Sequence, residues 1–180
     1  MMSPALWITT VSPSYAREIT TPEQGCGLDG LLRQREAVLS GILNGVDDAV
    51  WNPAADPLSE APYSAAKPAG KSRCKLALQR QCGLAERDDA PLFGVVSRLT
   101  EQKGVPLLLP ALEKFLHHQV QVVIVGSGDP ALATQLQTMA RDYPDKLAFI
   151  NTYDDRLAHL VEAGADFFLM PSLFEPCGLN

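Results

Sequence analysis

The stretch Gln121-Val-Val-Ile-Val-Gly-Ser-Gly-Asp-Pro-Ala131 decides the fold. After Gln121, four residues make a short, β-branched apolar run, and the segment reads as a strand buried on both faces. The run stops at Gly126. Asp129 is a good N-cap and Pro130 a good first helical residue. Leu132, Leu136, Met139 and Ala140 then keep one face of a helix. A buried strand passing through a glycine turn straight into a helix is the repeating unit of a parallel sheet covered by helices. The same pattern recurs on both sides. Pro91-Leu-Phe-Gly-Val-Val-Ser97 reads as the preceding strand, Leu147-Ala-Phe-Ile150 as a third and Phe167-Phe-Leu-Met170 as a fourth, stopped by Pro171. Leu108, Leu112, Phe115 and Leu116 form a helical stripe in which Pro110 fits poorly, so a kink or a true start near Pro110 is expected. Asp154 or Asp155 can cap a further helix with Leu157, Leu160 and Val161 inside and Gly164 at its end. The result is a β-α-β-α-β-α-β run, a doubly wound α/β unit.

The part before residue 91 is less regular. Trp7-Ile-Thr-Thr-Val11 reads as a strand, with Ser12-Pro13 starting a short helix. Gly25-Cys-Gly27 and Asp29-Gly30 read as loops, and 39–43 as a short apolar segment ending in an Asn44-Gly45 turn. From 52 to 70 the chain carries Pro53, Pro57, Pro62 and Pro68 with little periodicity, as a connector or an extended surface segment does. Residues 71–82 read as a helix with Cys74, Leu76, Leu78 and Cys82 as its apolar members. The expected organisation is therefore 1–50 as the tail of one domain, 51–90 as connector and helix, and 91–180 as part of a nucleotide-binding domain.

The chain has 180 residues, 46% hydrophobic and 20% charged, with a net charge of −6 shared by both halves. That composition excludes a disordered or fibrous chain. It gives no basic footprint for nucleic acid and nothing that favours an anionic membrane. No apolar run approaches the roughly 20 residues of a spanning helix. Cys26, Cys74, Cys82 and Cys177 form no C-x-x-C or zinc spacing and read as reduced cytoplasmic thiols. His117, His118 and His159 share no metal-ligand spacing with each other or with a carboxylate cluster, so no metal is expected.

Four segments carry chemistry, and each follows a strand. Ser97-Arg98-Leu-Thr-Glu-Gln-Lys103-Gly104 brings two cations and a glycine, which suit a diphosphate or belong to a solvated loop. Gly126-Ser-Gly128-Asp-Pro-Ala131 matches the G-x-G-x-x-A dinucleotide fingerprint, which would also suit a nicotinamide-dependent oxidoreductase, and equally makes a plain tight turn. Asn151-Thr-Tyr153 offers an aromatic ring for a base or for the rim. Pro171-Ser-Leu-Phe-Glu175-Pro-Cys-Gly178-Leu179 sets a carboxylate, a good partner for sugar hydroxyls, before a glycine. His159, among apolar neighbours, reads as structural.

In order along the chain stand Thr10-Val-Ser-Pro-Ser-Tyr-Ala-Arg-Glu-Ile19, Gly27-Leu-Asp-Gly-Leu-Leu32, Gly41-Ile-Leu-Asn-Gly-Val-Asp47, Trp51-Asn-Pro53, Val96-Ser-Arg-Leu-Thr-Glu-Gln-Lys-Gly104, Gly126-Ser-Gly-Asp129, Gly164-Ala-Asp166 and Met170-Pro-Ser-Leu-Phe-Glu-Pro-Cys-Gly-Leu179. With these motifs the chain resembles the ADP-glucose-dependent bacterial glycogen synthase and starch synthase family, from about Trp7 to its last residue. The resemblance implies a GT-B architecture of two Rossmann-like domains. It also implies retaining transfer of glucose from ADP-glucose to the non-reducing 4-hydroxyl of an α-1,4-glucan, with no cofactor and no metal, in the cytoplasm. It implies that Arg98 and Lys103 bind the diphosphate and stabilise the charge gained by departing ADP. Glu175 would hold the donor glucose, and Cys177, Gly178 and Leu179 would line the donor. Tyr153 would lie against adenine, Gly126 and Gly128 would line the nucleotide floor, and Asn44 would approach from the hinge.

The family's lysine-glycine-glycine loop, most of its acceptor domain and the helix after Leu179 are absent, and residues 1–6 do not resemble the family. The expectation is a hinge-centred slice, inactive alone. The alternative is a non-catalytic nucleotide-binding fragment or a degenerate gene product.

Overall fold

The computed structural model describes residues 7–178. The chain divides into two compact units. One runs to Val46 and takes in the chain from Glu175 onward, and the other is Asp47–Phe174.

The first unit is built on two parallel strands, β1 (Ile8–Val11) and β2 (Leu39–Ile42), paired from Ile8 with Leu39 to Val11 with Ile42. Ser12 ends β1 and caps α1 (Pro13–Glu18), accepting the Tyr15 N–H at 3.1 Å, with Pro13 in the first turn as expected. Asp29-Gly30 does not form a loop. It opens α2 (Asp29–Gln34), where a carboxylate complements the positive end of the helix and holds Arg33 one turn later at 2.8 Å. Nor does Asn44-Gly45 form a turn. An Asn-Gly turn reverses a chain between antiparallel strands, whereas β2 pairs in parallel and sends the chain onward. The turn comes at 48–50, where the Asp47 carboxylate accepts the N–H groups of Ala49 and Val50 at 3.1 Å each.

In the second unit, α3 (Gly70–Gln81) precedes β3 (Leu92–Val96), α4 (Val105–Phe115), β4 (Gln121–Val125), α5 (Pro130–Asp142), β5 (Leu147–Ile150), α6 (Asp155–Gly164) and β6 (Phe167–Phe168). The sheet is parallel throughout, in the order β5-β4-β3-β6. Helices cover both faces, which is why β4 is buried at every position. Val122 and Ile124 join Leu108, Leu112 and Leu136 on one face. Val123 and Val125 join Leu78, Leu160 and Val161 on the other, following the two-residue period of a strand.

Four expectations change. β6 is two residues long, because only Phe167 and Phe168 find partners on β3; after Leu169 N–H meets the Gly94 carbonyl at 2.8 Å the chain turns away. α4 begins at Val105 and runs through Pro110. Pro110 deprives only the Pro106 carbonyl of a donor, and both prolines are exposed, so solvent can reach that group.

On α3 the expected Cys74 and Leu78 are buried and Cys82 packs against the core, but Leu76 is only half-buried and the polar Lys75 and Gln79 are buried in addition. Lys75 Nζ meets Asp166 Oδ2 at 2.8 Å and the Asp88 carbonyl at 2.9 Å. Gln79 Nε2 donates to Gln121 Oε1 at 2.6 Å and to the Arg87 carbonyl at 2.9 Å. Satisfied in this way, polar side chains can be buried.

The proline-rich stretch is docked on the helices. Trp51 stacks on His159 with ring centroids 3.8 Å apart, Asp56 Oδ2 lies 2.9 Å from His159 Nδ1, and the buried Cys74 thiol donates to the Ala61 carbonyl at 3.2 Å. The four cysteines are free thiols, and burial pushes Cys82 up to about 11.

Candidate functional site

In an open parallel sheet, ligands bind outside the carboxyl ends of the strands. The loop of residues 97–104 leaves β3 there, between the loop after β4 on one side and the loop after β6 on the other. Leu99 anchors it. Its side chain is fully buried in the core, while its N–H donates to the Ser127 carbonyl and its carbonyl accepts the Asp129 N–H, both at 2.9 Å. Burying a leucine contributes about 2 kcal/mol, which offsets the ordering of a residue or two and adds to the backbone bonds on either side.

The crossing of these two loops explains Gly126 and Gly128. A Cβ at Gly126 would run into the Ser97 carbonyl, and one at Gly128 into the Leu99 carbonyl. On the other side, Gly104 is left-handed at φ 71°, caps α4, and has the Pro171 carbonyl where a Cβ would go. Leu173 N–H donates to the Gln102 carbonyl at 2.9 Å, and Gln102 Nε2 to the Phe174 carbonyl at 3.1 Å. Arg98 and Lys103 therefore stand on a segment pinned from both sides. Arg98 is exposed and makes no ion pair among the described residues, and Lys103 is half-buried.

The start of α5 is occupied. Asp129 Oδ1 accepts the N–H groups of Ala131 at 2.7 Å and Leu132 at 3.2 Å. In a dinucleotide fingerprint those donors face a phosphate. Here a carboxylate has taken two of them and would repel the phosphate, which removes support from the nicotinamide reading of Gly126 to Ala131.

Tyr153 follows β5, two strands from β3, and is 78% exposed. It has an open ring face for stacking and no link to the cation loop among the contacts of the described residues.

The remaining candidates belong to the first unit. Glu175, Cys177 and Gly178 are half-buried, and Gly178 is left-handed at φ 54°. Asn44 N–H approaches Cys177 Sγ at 3.4 Å, so these two residues, 133 positions apart, are brought together. Leu179 lies outside the described residues.

Two residues that hold these loops escape a reading of sequence. Leu99 looks like any loop leucine. Ser12 looks like a helix cap and also grips Pro176. The only signal for Ser12 is its place at a strand's carboxyl end.

A groove of about 630 Å³ between α4 and α5 lies on the helical layer, and no candidate residue lines it. Among the described residues no group of three His, Cys, Asp or Glu side chains could hold a metal, and no helix is long and apolar enough to cross a membrane.

The model of the glycosyl transferases group 1 matches residues 82–180, and that of the starch synthase catalytic domain matches 2–34. The glycogen synthase of Aeromonas hydrophila subsp. hydrophila is 64% identical over 173 residues, covering 96% of this chain and 35% of the relative. That of Anaeromyxobacter dehalogenans is 56% identical, covering 96% and 36%. The chain thus spans about a third of the length of the curated relatives it matches. Among solved structures, the catalytic domain of starch synthase IV from Arabidopsis thaliana, bound to ADP and acarbose, superposes with a TM-score of 0.90 at 38% identity. It is covered to 36% by 97% of this chain. The parallel α/β architecture is thus that of part of a GT-B starch synthase catalytic domain, as expected. The chain belongs to the group 1 glycosyl transferases and is a homologue of the bacterial glycogen synthases.

Proposed function

We propose that this chain supplies the donor-binding part of a retaining glucosyltransferase that moves glucose from ADP-glucose to the non-reducing 4-hydroxyl of an α-1,4-glucan. The observation that carries the reading is the pinned loop with Arg98 and Lys103 at the carboxyl end of β3. A diphosphate gains charge as the glycosidic bond breaks, and cations already held in place stabilise that charge without reorganising. Arg98 can meet two oxygens with a planar fork, and Lys103 brings a compact ammonium. Gly126 and Gly128 let the loop after β4 lie directly against the 97–99 backbone, which sets the cation loop beside the proposed nucleotide floor. Tyr153 offers its exposed ring to adenine. Glu175 takes sugar hydroxyls and faces the oxocarbenium-like charge, with Asn44, Cys177, Gly178 and Leu179 lining the donor.

In this reading residues 1–50 end the acceptor-side domain, 51–90 connect, and 91–180 bind nucleotide. The solved neighbour that carries ADP and acarbose supports a nucleotide and a glucan-like ligand. The donor-set chemistry needs no metal, since Arg98 and Lys103 supply the positive charge. Four unbridged thiols support a reducing compartment, and we place the protein in the cytoplasm.

Equilibrium dialysis with labelled ADP-glucose tests the reading. Retained label, displaced by ADP and by neither UDP nor NADH, is the expected outcome. Displacement by UDP as readily as by ADP would remove the donor assignment, and no retention by the folded chain would remove the function.

A further inference from the structure

Ser12 has an unusual combination of properties. It is a non-glycine residue at φ 56°, ψ 143°, a region that L-residues enter only under constraint, at a cost of roughly 1–3 kcal/mol. It is also buried, 5% exposed. Its backbone is tied by its N–H to the Ile42 carbonyl at 3.0 Å and by its carbonyl to the Ala16 N–H at 3.1 Å. Gly41 lies so close to that carbonyl that a Cβ there would collide with it. The strain aims the side chain. Ser12 Oγ accepts the Tyr15 N–H at 3.1 Å and donates its proton to the Pro176 carbonyl at 2.6 Å, across 164 positions of sequence.

A helix cap alone does not require this conformation, since N-cap residues ordinarily sit in the β region. The second bond does. Pro176 lies between Glu175 and Cys177, and the next residue, Cys177, receives the Asn44 N–H at 3.4 Å. Two adjacent residues of the loop are thus gripped from the carboxyl ends of β1 and β2.

We propose that Ser12 is a positioning residue: its hydroxyl, held by a strained backbone, fixes the loop 175–178 at Pro176 and so sets the conformation of Glu175, Cys177 and Gly178 in which the donor sugar is bound. The inference rests on the proposed function for the purpose of the loop, and on geometry alone for the grip itself.

The Cys177 thiol reports the grip. In the 180-residue chain, iodoacetamide labelling of Cys177 is followed by peptide mass spectrometry in wild type, Ser12→Gly and Ser12→Ala, with the exposed Cys26 as reference. Glycine relieves the strain and is nearly as good a cap as serine, so Ser12→Gly should fold and keep its thermal midpoint. Loss of the hydroxyl's bond to Pro176 should still speed Cys177 labelling about threefold to tenfold relative to Cys26. Unchanged Cys177 labelling in a folded Ser12→Gly variant would overturn the proposal and leave Ser12 a cap. A Ser12→Ala variant that labels faster in step with Ser12→Gly supports it; one that labels at the wild-type rate while folded overturns it. ADP-glucose retention by the unmodified chain is measured separately. Its absence would remove the donor reading and leave the grip of Ser12 on the loop to be judged by the labelling alone.

Discussion

Side chains that look alike in sequence carry different duties once they are placed. Arg98 and Lys103 sit on the same loop as Leu99, whose buried side chain and two backbone bonds help to fix where that loop lies. Gly126 serves the same end by absence. Because its Cβ would meet the Ser97 carbonyl, Gly126→Ala should cost about 1–3 kcal/mol of stability through overpacking, read as a lower urea midpoint with an unchanged slope. Asp166 is a second case. Its Oδ2 meets Lys75 Nζ at 2.8 Å and accepts the Leu92 N–H at 2.8 Å, while its own N–H donates to the Leu92 carbonyl at 2.8 Å. Asp166→Ala would leave a buried ammonium with only the Asp88 carbonyl. Because the Asp166 side of the pair is partly open to solvent, a loss of about 1–3 kcal/mol is expected in chemical denaturation. Lys75→Met together with Asp166→Ala should recover part of it, because the unpaired buried charge is then gone.

At the scale of elements, the segment that precedes α3 is held by an acid-sensitive contact. Burial raises the Asp56 carboxyl, but the bonds from His159, the Leu58 N–H and the Ser59 hydroxyl outweigh it, and the group ends below its ordinary value. A carboxylate lowered in the folded state contributes stability that is fully present above its unfolded value, near ~3.9. That stability is lost as pH falls through the lower folded value. Denaturation midpoints should therefore be steady with respect to Asp56 above about pH 5 and fall on further acidification. Asp56→Asn should be less stable at neutral pH and show a shallower acid limb.

The same element shows how far sequence carries. The β4-α5 unit is legible because four consecutive β-branched apolar residues, a glycine stop, an Asp-Pro cap and a helical stripe all agree. The contact of Asp56 and Trp51 with His159 was not, because local pattern says nothing about a partner a hundred residues away. The burial of Lys75 and Gln79 is illegible for another reason: an apolar stripe does not count polar residues, and only Gln121 on β4, Asp166 just before β6 and the loop before β3 make their burial tolerable. The four loops at strand ends followed from topology. What the sequence could not supply was which of their residues hold the loops and which are left for a ligand.

For the whole molecule, the three apolar clusters found among the described residues all lie within Asp47–Phe174. The other unit rests on two four-residue strands and short helices. Amide exchange should reflect this: the β4 amides should exchange slowest, near the limit set by global unfolding, and those of β1 and β2 sooner. Comparable protection in both sheets would contradict that division of stability.

In the proposed function, the carboxyl-end loops of the larger sheet bind a nucleoside diphosphate through Arg98 and Lys103. Calorimetric titration of the chain with ADP, repeated on Arg98→Ala and Lys103→Ala, tests it most directly. Saturable binding should weaken about tenfold or more in each variant, as loss of a charged hydrogen bond requires, and fall with added salt. No binding by the folded chain, or equal affinity in the wild type and both variants, would contradict it.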